Sequence, residues 1–209
     1  MSNLPPINNK HKVCVICEGF EDVQYFKRLM QLDVWNSSYE FIPINAKGAP
    51  NIFACYQDAY SNDRYEVVLI FCDTDKKPFR EYQQVKKKIN DFHDGRSASN
   101  KIIIFANPCT MQIILSHFGD VCLKNQGKKT NSDVIEKLTG VKNYDAHEDQ
   151  IKEICNKIFQ RTYPKMKERI EIINFKDDVS CSTNFIDFAS RFENDNLTWI
   201  KDINKYLQK

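Results

Sequence analysis

Short apolar runs rich in β-branched residues recur through the first half of the chain. Each is followed by a segment whose apolar residues return at helical spacing. His11 to Cys17 (HKVCVIC) is the first run, and runs of this kind read as strands. It stops at Glu18-Gly19, where glycine permits the tight turn that leaves a strand. In FEDVQYFKRLMQL, Val23, Phe26, Leu29, Met30 and Leu32 recur roughly at helical spacing. Tyr39 to Asn45 (YEFIPIN) predicts a second strand, and Pro43 puts it at or near a sheet edge. Ala46-Lys47-Gly48 is a turn, after which Pro50 opens a helix through about Tyr60. Glu66 to Phe71 is the third strand, followed by a helix from Phe79 to about Phe92. His93 to Asn100 is polar and reads as a loop. Lys101 to Phe105 (KIIIF) is a fourth strand, stopped by Asn107-Pro108, and a helix from Thr110 to Phe118 follows. This alternation predicts an α/β fold, a parallel sheet with helices on its faces.

After Gly119 the β signal fades. Asn131-Ser132 is expected to cap a helix to about Leu138. His147 to Gln160 predicts another, with Ile151, Ile154, Cys155, Ile158 and Phe159 as its apolar stripe. Ile170 to Phe175 reads as one more short strand. Ser182-Thr183-Asn184 starts a helix, and Leu197 to Leu207 forms a last one. The expected division is an α/β core over residues 1–122 and a mostly helical extension over residues 123–209, packed on that core. A chain of 209 residues suffices for this.

The formal net charge of +2 means that any nucleic-acid surface must be a local patch. No apolar leader follows the start, and no run approaches the length of a membrane span. Several of the 8 cysteines, among them Cys14, Cys17, Cys72 and Cys155, lie inside apolar runs, as small buried thiols do. These features predict a cytoplasmic protein with reduced thiols and no membrane association. Cys14-x-x-Cys17 lies within a strand and lacks a matching second pair, which argues against zinc.

The most informative chemistry is Phe71-Cys72-Asp73-Thr74-Asp75, two acids one residue apart just past the third strand. From an extended backbone they can point the same way, giving an oxygen-rich site suited to Mg²⁺ or Mn²⁺. Alone, such a pair reads more readily as a solvated loop aspartate plus a helix N-cap. Glu18, at the tip of the first strand, changes the balance. If the first and third strands are neighbours, Glu18, Asp73 and Asp75 converge at one edge and repel unless a divalent cation sits among them. Asp22 lies in the first turn of the following helix, where its charge also suits the helix dipole.

These residues carry a pattern. ICEGFEDVQYF and VVLIFCDTD resemble the two acidic motifs of the Toprim domain, the Rossmann-like catalytic fold of topoisomerases, bacterial primases and OLD-type nucleases. IFANPCTMQIILSHF, Ile103 to Phe118, resembles the Asn-Pro-Cys segment of RloB-like proteins, small Toprim proteins found near phage-defence loci. GKKTNSDVIEKL and CSTNFIDFASRF look like further segments of that group. The resemblance covers most of residues 12–118 and, more loosely, the rest. It implies that Glu18 acts as general acid/base and that Asp73 and Asp75 hold Mg²⁺. The sequence departs from the pattern in one place: the glutamate that follows Asn-Pro-Cys-Phe falls at Met111, and the aromatic at Thr110.

Several polar residues complete the candidate set. Lys76 and Lys77 follow the acid pair, where a cation would stabilise charge on a transferring phosphoryl group; a solvated basic turn is the alternative. Lys86, Lys87 and Lys88 are expected to face water. Lys124, Lys128 and Lys129 form a basic loop that can hold a phosphate backbone, the role the resemblance favours. Asn107 falls at the same sheet edge as Asp73, as a phosphate or metal-water contact or simply a turn residue before proline. His117 joins the candidates only through the resemblance, since a lone histidine is more often structural.

Together these readings predict a Mg²⁺-dependent nuclease hydrolysing phosphodiester bonds of DNA or RNA in a phage-defence setting, with Asp73 and Asp75 as metal ligands. Glu18 is a base or a further ligand, Asp22 a possible additional ligand and Lys77 a phosphate clamp. The other reading is a non-catalytic nucleic-acid-binding subunit or partner of an ATPase, which RloB-like proteins are often encoded beside. A homodimer is compatible with either. Primase or topoisomerase chemistry is disfavoured, because no tyrosine stands out as a nucleophile and the chain lacks the length for a gate domain.

Overall fold

The first strand, β1 (His11–Cys17), is buried along Val13 to Cys17 at 0% exposure, so both of its faces are covered. That is the environment a continuous apolar run demands. The molecule is described by a computed structural model over residues 10–75, 77–173 and 175–208. After β1 come α1 (Phe20–Gln31), β2 (Tyr39–Asn45), α2 (Ala49–Tyr60), β3 (Val67–Asp73) and α3 (Arg80–Phe92). The short α4 (Ser99–Ile102) leads into β4 (Ile103–Ala106), and α5 (Met111–Ser116) follows. The four strands form one parallel sheet in the order β2-β1-β3-β4. β2 is an edge strand, as Pro43 required. The remaining helices are α6 (Lys128–Thr139), α7 (Glu148–Asn156), a 3-10 turn (Gln160–Thr162), α8 (Tyr163–Glu171), α9 (Phe185–Glu193) and α10 (Thr198–Leu207).

The later helices are built into the sheet's own core. Phe192 of α9 packs on Phe41 of β2, with ring centroids 4.7 Å apart, and on Trp35 at 5.2 Å. Phe26 of α1 meets the same Trp35 at 4.8 Å. The β4 edge is covered by the segment before α9. Ala106 and Thr183 form an antiparallel bridge. Asn184 accepts from the Phe105 N–H (2.8 Å) and donates to the Ile103 carbonyl (2.8 Å). One amide side chain thus satisfies both ladder groups that an edge strand would leave open. The expected helix start at Ser182-Thr183-Asn184 holds: α9 begins at Phe185 with Asn184 as its N-cap and the Thr183 hydroxyl accepting from the Phe185 N–H (3.0 Å), while the Asn184 side chain serves the sheet.

Other boundaries move. Ile170 to Phe175 is not a strand where it is described. Ile170 lies in α8, whose buried Tyr163, Met166 and Ile170 share one helical face, while Ile172 is exposed. Helix α6 starts at Lys128 rather than at Asn131, and Asn131 is buried, donating to the Asn125 carbonyl. β3 continues through Asp73, because β4 pairs with it as far as Ala106. Lys87 and Lys88 are exposed, but Lys86 is half-buried and bonded to Asp177 at 2.6 Å. The thiols also differ from expectation. Cys122 and Cys181 form a disulfide with Cα atoms 5.2 Å apart, and the other six cysteines form none. Among the described residues no helix is long and apolar enough to cross a membrane.

Replacing Asn184 with alanine would leave the Phe105 N–H and Ile103 carbonyl without their partner. Urea unfolding of Asn184→Ala is expected to show a loss of about 1–3 kcal/mol.

Candidate functional site

Strand order reverses between β1 and β3: the chain leaves β1 for β2 on one side and returns to β3 on the other. In open parallel sheets the crevice beyond the strand ends at such a reversal is where ligands bind. Cys17 is in register with Phe71, so Glu18 leaves the sheet level with Cys72 and next to Asp73. The Glu18 N–H donates to the Phe71 carbonyl at 3.0 Å, and Glu18 Oε2 accepts from the Asp73 N–H at 3.1 Å. Each acid is therefore fixed by the other's strand.

Two further loops complete the edge. Asp22, 3% exposed, accepts from the Gly19 N–H at 2.8 Å, closing the first turn of α1 back onto the end of β1. The Asp75 N–H donates to the Pro108 carbonyl at 3.1 Å, and Asp75 adopts φ 58, a left-handed conformation uncommon for residues other than glycine. Asp73 Oδ1 accepts from both the backbone N–H (2.8 Å) and the hydroxyl (3.1 Å) of Thr110. Thr110 is the position where the RloB-like pattern has an aromatic.

Glu18, Glu21, Asp22, Asp73 and Asp75 line one cleft of about 380 Å³, with Lys128 on its wall. Burial pushes Glu18 up to about 8, helped by the negative charges of Asp22 and Asp75. Asp22 rises to about 6, chiefly through burial, and Asp73 is raised well above the usual carboxylate range by burial and then by Asp22 and Glu18. Glu21, raised to about 7 by burial, accepts a 2.7 Å hydrogen bond from the Tyr144 hydroxyl. The sequence reading passed over Glu21. Its one local signal was its place beside Asp22 in the first turn of α1, and its partner Tyr144 lies 123 residues away. Met111, buried on the cleft wall, offers a backbone hydrogen bond to Glu21.

The remaining candidates separate. Lys128 and Lys129 are both exposed in the first turn of α6, and of the two Lys128 alone lines the cleft. Lys77 is exposed in the turn after β3 and does not line the cleft either. Lys76 lies outside the described residues. Asn107 is not placed as a phosphate contact: it is 3% exposed, and its amide donates to the Asp177 carbonyl at 2.9 Å. His117 is likewise withdrawn from the cleft. It is 2% exposed, with Nε2 bonded to the Tyr25 hydroxyl (3.0 Å) and Nδ1 to the Thr162 hydroxyl (3.0 Å). Burial lowers it to about 3, so it stays neutral and structural.

The carboxylate oxygens are donors of the kind that hard divalent cations take. They are not preset as a ligand cage. Among the described residues no three His, Cys, Asp or Glu side chains are arranged to hold a metal ion, and a cation here would require carboxylates to turn toward it. Comparison of the chain with family models, with curated proteins and with solved structures finds no match.

Acids with raised folded-state pKa values bind more protons folded than unfolded, so their stabilisation is complete below their ordinary range and is lost as pH rises through the raised value. For Glu18 that window runs from its ordinary 4.5 to about 8. Metal-free protein should therefore melt lower at about pH 8.5 than at about pH 6. Glu18→Gln, which keeps an acceptor for the Asp73 N–H, should raise the melting temperature at the higher pH by about 2–4 °C per kcal/mol recovered. Thermal melts of both proteins across this range check the sign.

Proposed function

We propose that the chain is a Mg²⁺- or Mn²⁺-dependent nuclease of Toprim type that hydrolyses phosphodiester bonds in DNA or RNA, acting in the cytoplasm as part of a phage-defence system. What carries this reading is the meeting of Glu18 and Asp73 at adjacent parallel strand tips, with Asp22, Asp75 and Glu21 around the same cleft. Five acids facing one another are hard to explain as a stability device, because burying like charges costs free energy.

Asp73 and Asp75 would hold the cation, with Glu18 or Asp22 as a further ligand. Bound there, a divalent cation would offset carboxylate repulsion and stabilise charge on the scissile phosphate. Glu18, with its pKa raised to about 8, is suited to exchange a proton near neutral pH. Thr110, through its backbone N–H and hydroxyl, keeps the Asp73 carboxylate oriented. Lys128, on the cleft wall, supplies the positive charge for a substrate phosphate. An ATPase partner accompanies this proposal through the RloB-like resemblance, and a homodimer is compatible with it.

Asp73→Asn should abolish metal-dependent cleavage of both DNA and RNA while leaving the circular dichroism spectrum unchanged. A mutant as active as the wild type would sink the assignment. A wild type that binds nucleic acid and cleaves neither polymer would point instead to the non-catalytic partner.

Two lysines in one helical turn give a sharper comparison. Lys128→Ala should lower kcat/KM by about 10²-fold, the typical effect of removing one charge-stabilising donor. Lys129→Ala should stay within about twofold, as surface substitutions away from a site do, because Lys129 does not line the cleft. Parallel kinetics on the two variants measure the difference.

A further inference from the structure

Cys122 is exposed in the segment between α5 and α6 that contains no helix or strand, and its disulfide partner Cys181 is 5% exposed. This segment is the root of one wall of the acidic cleft: its own Gln126, and Lys128 and Asn131 of α6 just beyond it, line that cleft. Two kinds of link tie the root to the rest of the molecule. The buried Gln112 side chain donates to the Val121 carbonyl (2.8 Å) and accepts from the Leu123 N–H (2.8 Å). The disulfide fastens it to Cys181, next to the Ser182–Asn184 stretch that covers the β4 edge. Cys181 itself adopts φ 62, a conformation that persists in such a residue only when its surroundings enforce it.

We propose that Cys122 and Cys181 are a reversible dithiol–disulfide pair, open to exchange with thiols of the glutathione class, whose state sets how firmly the cleft wall is held. The inference stands whether or not the cleft cleaves nucleic acid. It also accommodates a disulfide within a cytoplasmic chain, where such bonds are usually transient or regulatory.

Exchange at this pair is chemically balanced. A low-molecular-weight thiolate attacks the exposed Cys122 sulfur; a mixed disulfide forms, the Cys122–Cys181 bond breaks, and Cys181 leaves as a thiolate that takes a proton. A second thiolate attacks the outer sulfur of the mixed disulfide and releases Cys122. Two thiols are oxidised to one small-molecule disulfide as the protein bond is reduced to two thiols. The other cysteines are poor competitors. Cys14, Cys17, Cys72, Cys109 and Cys155 are buried, and only Cys55 is partly accessible. Burial raises the Cys17, Cys72, Cys109 and Cys155 thiols, which keeps them out of the reactive thiolate form.

The test uses the whole native chain equilibrated with graded ratios of reduced to oxidised glutathione. Thiols are trapped with iodoacetamide and counted by intact mass, and hydrogen exchange is followed on the same samples. As the reduced fraction grows, two alkylations should appear together; Cys122→Ser, which cannot form the bond, should show no such paired step. Amides of residues 119–131 should exchange about tenfold faster in the reduced protein, while those of β1 and β3 stay unchanged. Cys122→Ser should show the faster exchange in every sample. A pair that remains oxidised in excess reduced glutathione until denaturant is added would overturn the proposal, as would reduction that leaves exchange over residues 119–131 unaltered.

Discussion

Parallel strands leave a sheet in one direction, so a charge at one strand tip meets the charge at its neighbour's. Glu18 and Asp73 are placed this way by the β1–β3 register, and the bond from the Asp73 N–H to Glu18 Oε2 fixes them together. Water is partly excluded, and each carboxylate is raised by burial and by the others. The surrounding backbone offsets some of that cost. Gly19 donates to Asp22, and Thr110 donates twice to Asp73. These donors stabilise the charged forms, but the pKa values stay high, so the repulsion is reduced rather than removed. That residual repulsion is the basis of the proposed cation requirement.

The second half of the chain depends on the same edge. The Ser182–Asn184 stretch closes β4, whose pairing carries β3 out to Asp73. Helix α6 brings Lys128 to the cleft, and Tyr144 reaches Glu21 from the loop before α7. The C-terminal elements thus bring the cation Lys128 and the hydrogen-bond donor Tyr144 to a cleft whose acids come from the ends of β1 and β3 and from α1. The Cys122–Cys181 link spans the two parts.

The parallel sheet was legible because its strands are short apolar runs separated by helical periods, and Pro43 marked an edge correctly. The convergence of Glu18 with Asp73 was conditional on strand adjacency, which β1–β3 pairing supplies. What failed was long-range. Glu21 looked like an ordinary first-turn acid until Tyr144 was seen against it. His117 carried chemistry in sequence, yet Tyr25 and Thr162 occupy both its nitrogens. Ile170 to Phe175 resembled a strand because its β-branched residues outweighed the helical spacing that begins at Tyr163. The Cys122–Cys181 pair, 59 residues apart, had no local signature at all.

Titration calorimetry of Mg²⁺ into the metal-free protein near neutral pH, repeated in buffers of different ionisation enthalpy, tests the central claim most directly. Metal binding to carboxylates that hold protons must release them. The account predicts saturable binding with net proton release, both lost in Asp73→Asn. Absence of Mg²⁺ binding, or binding that persists undiminished in Asp73→Asn, would contradict it.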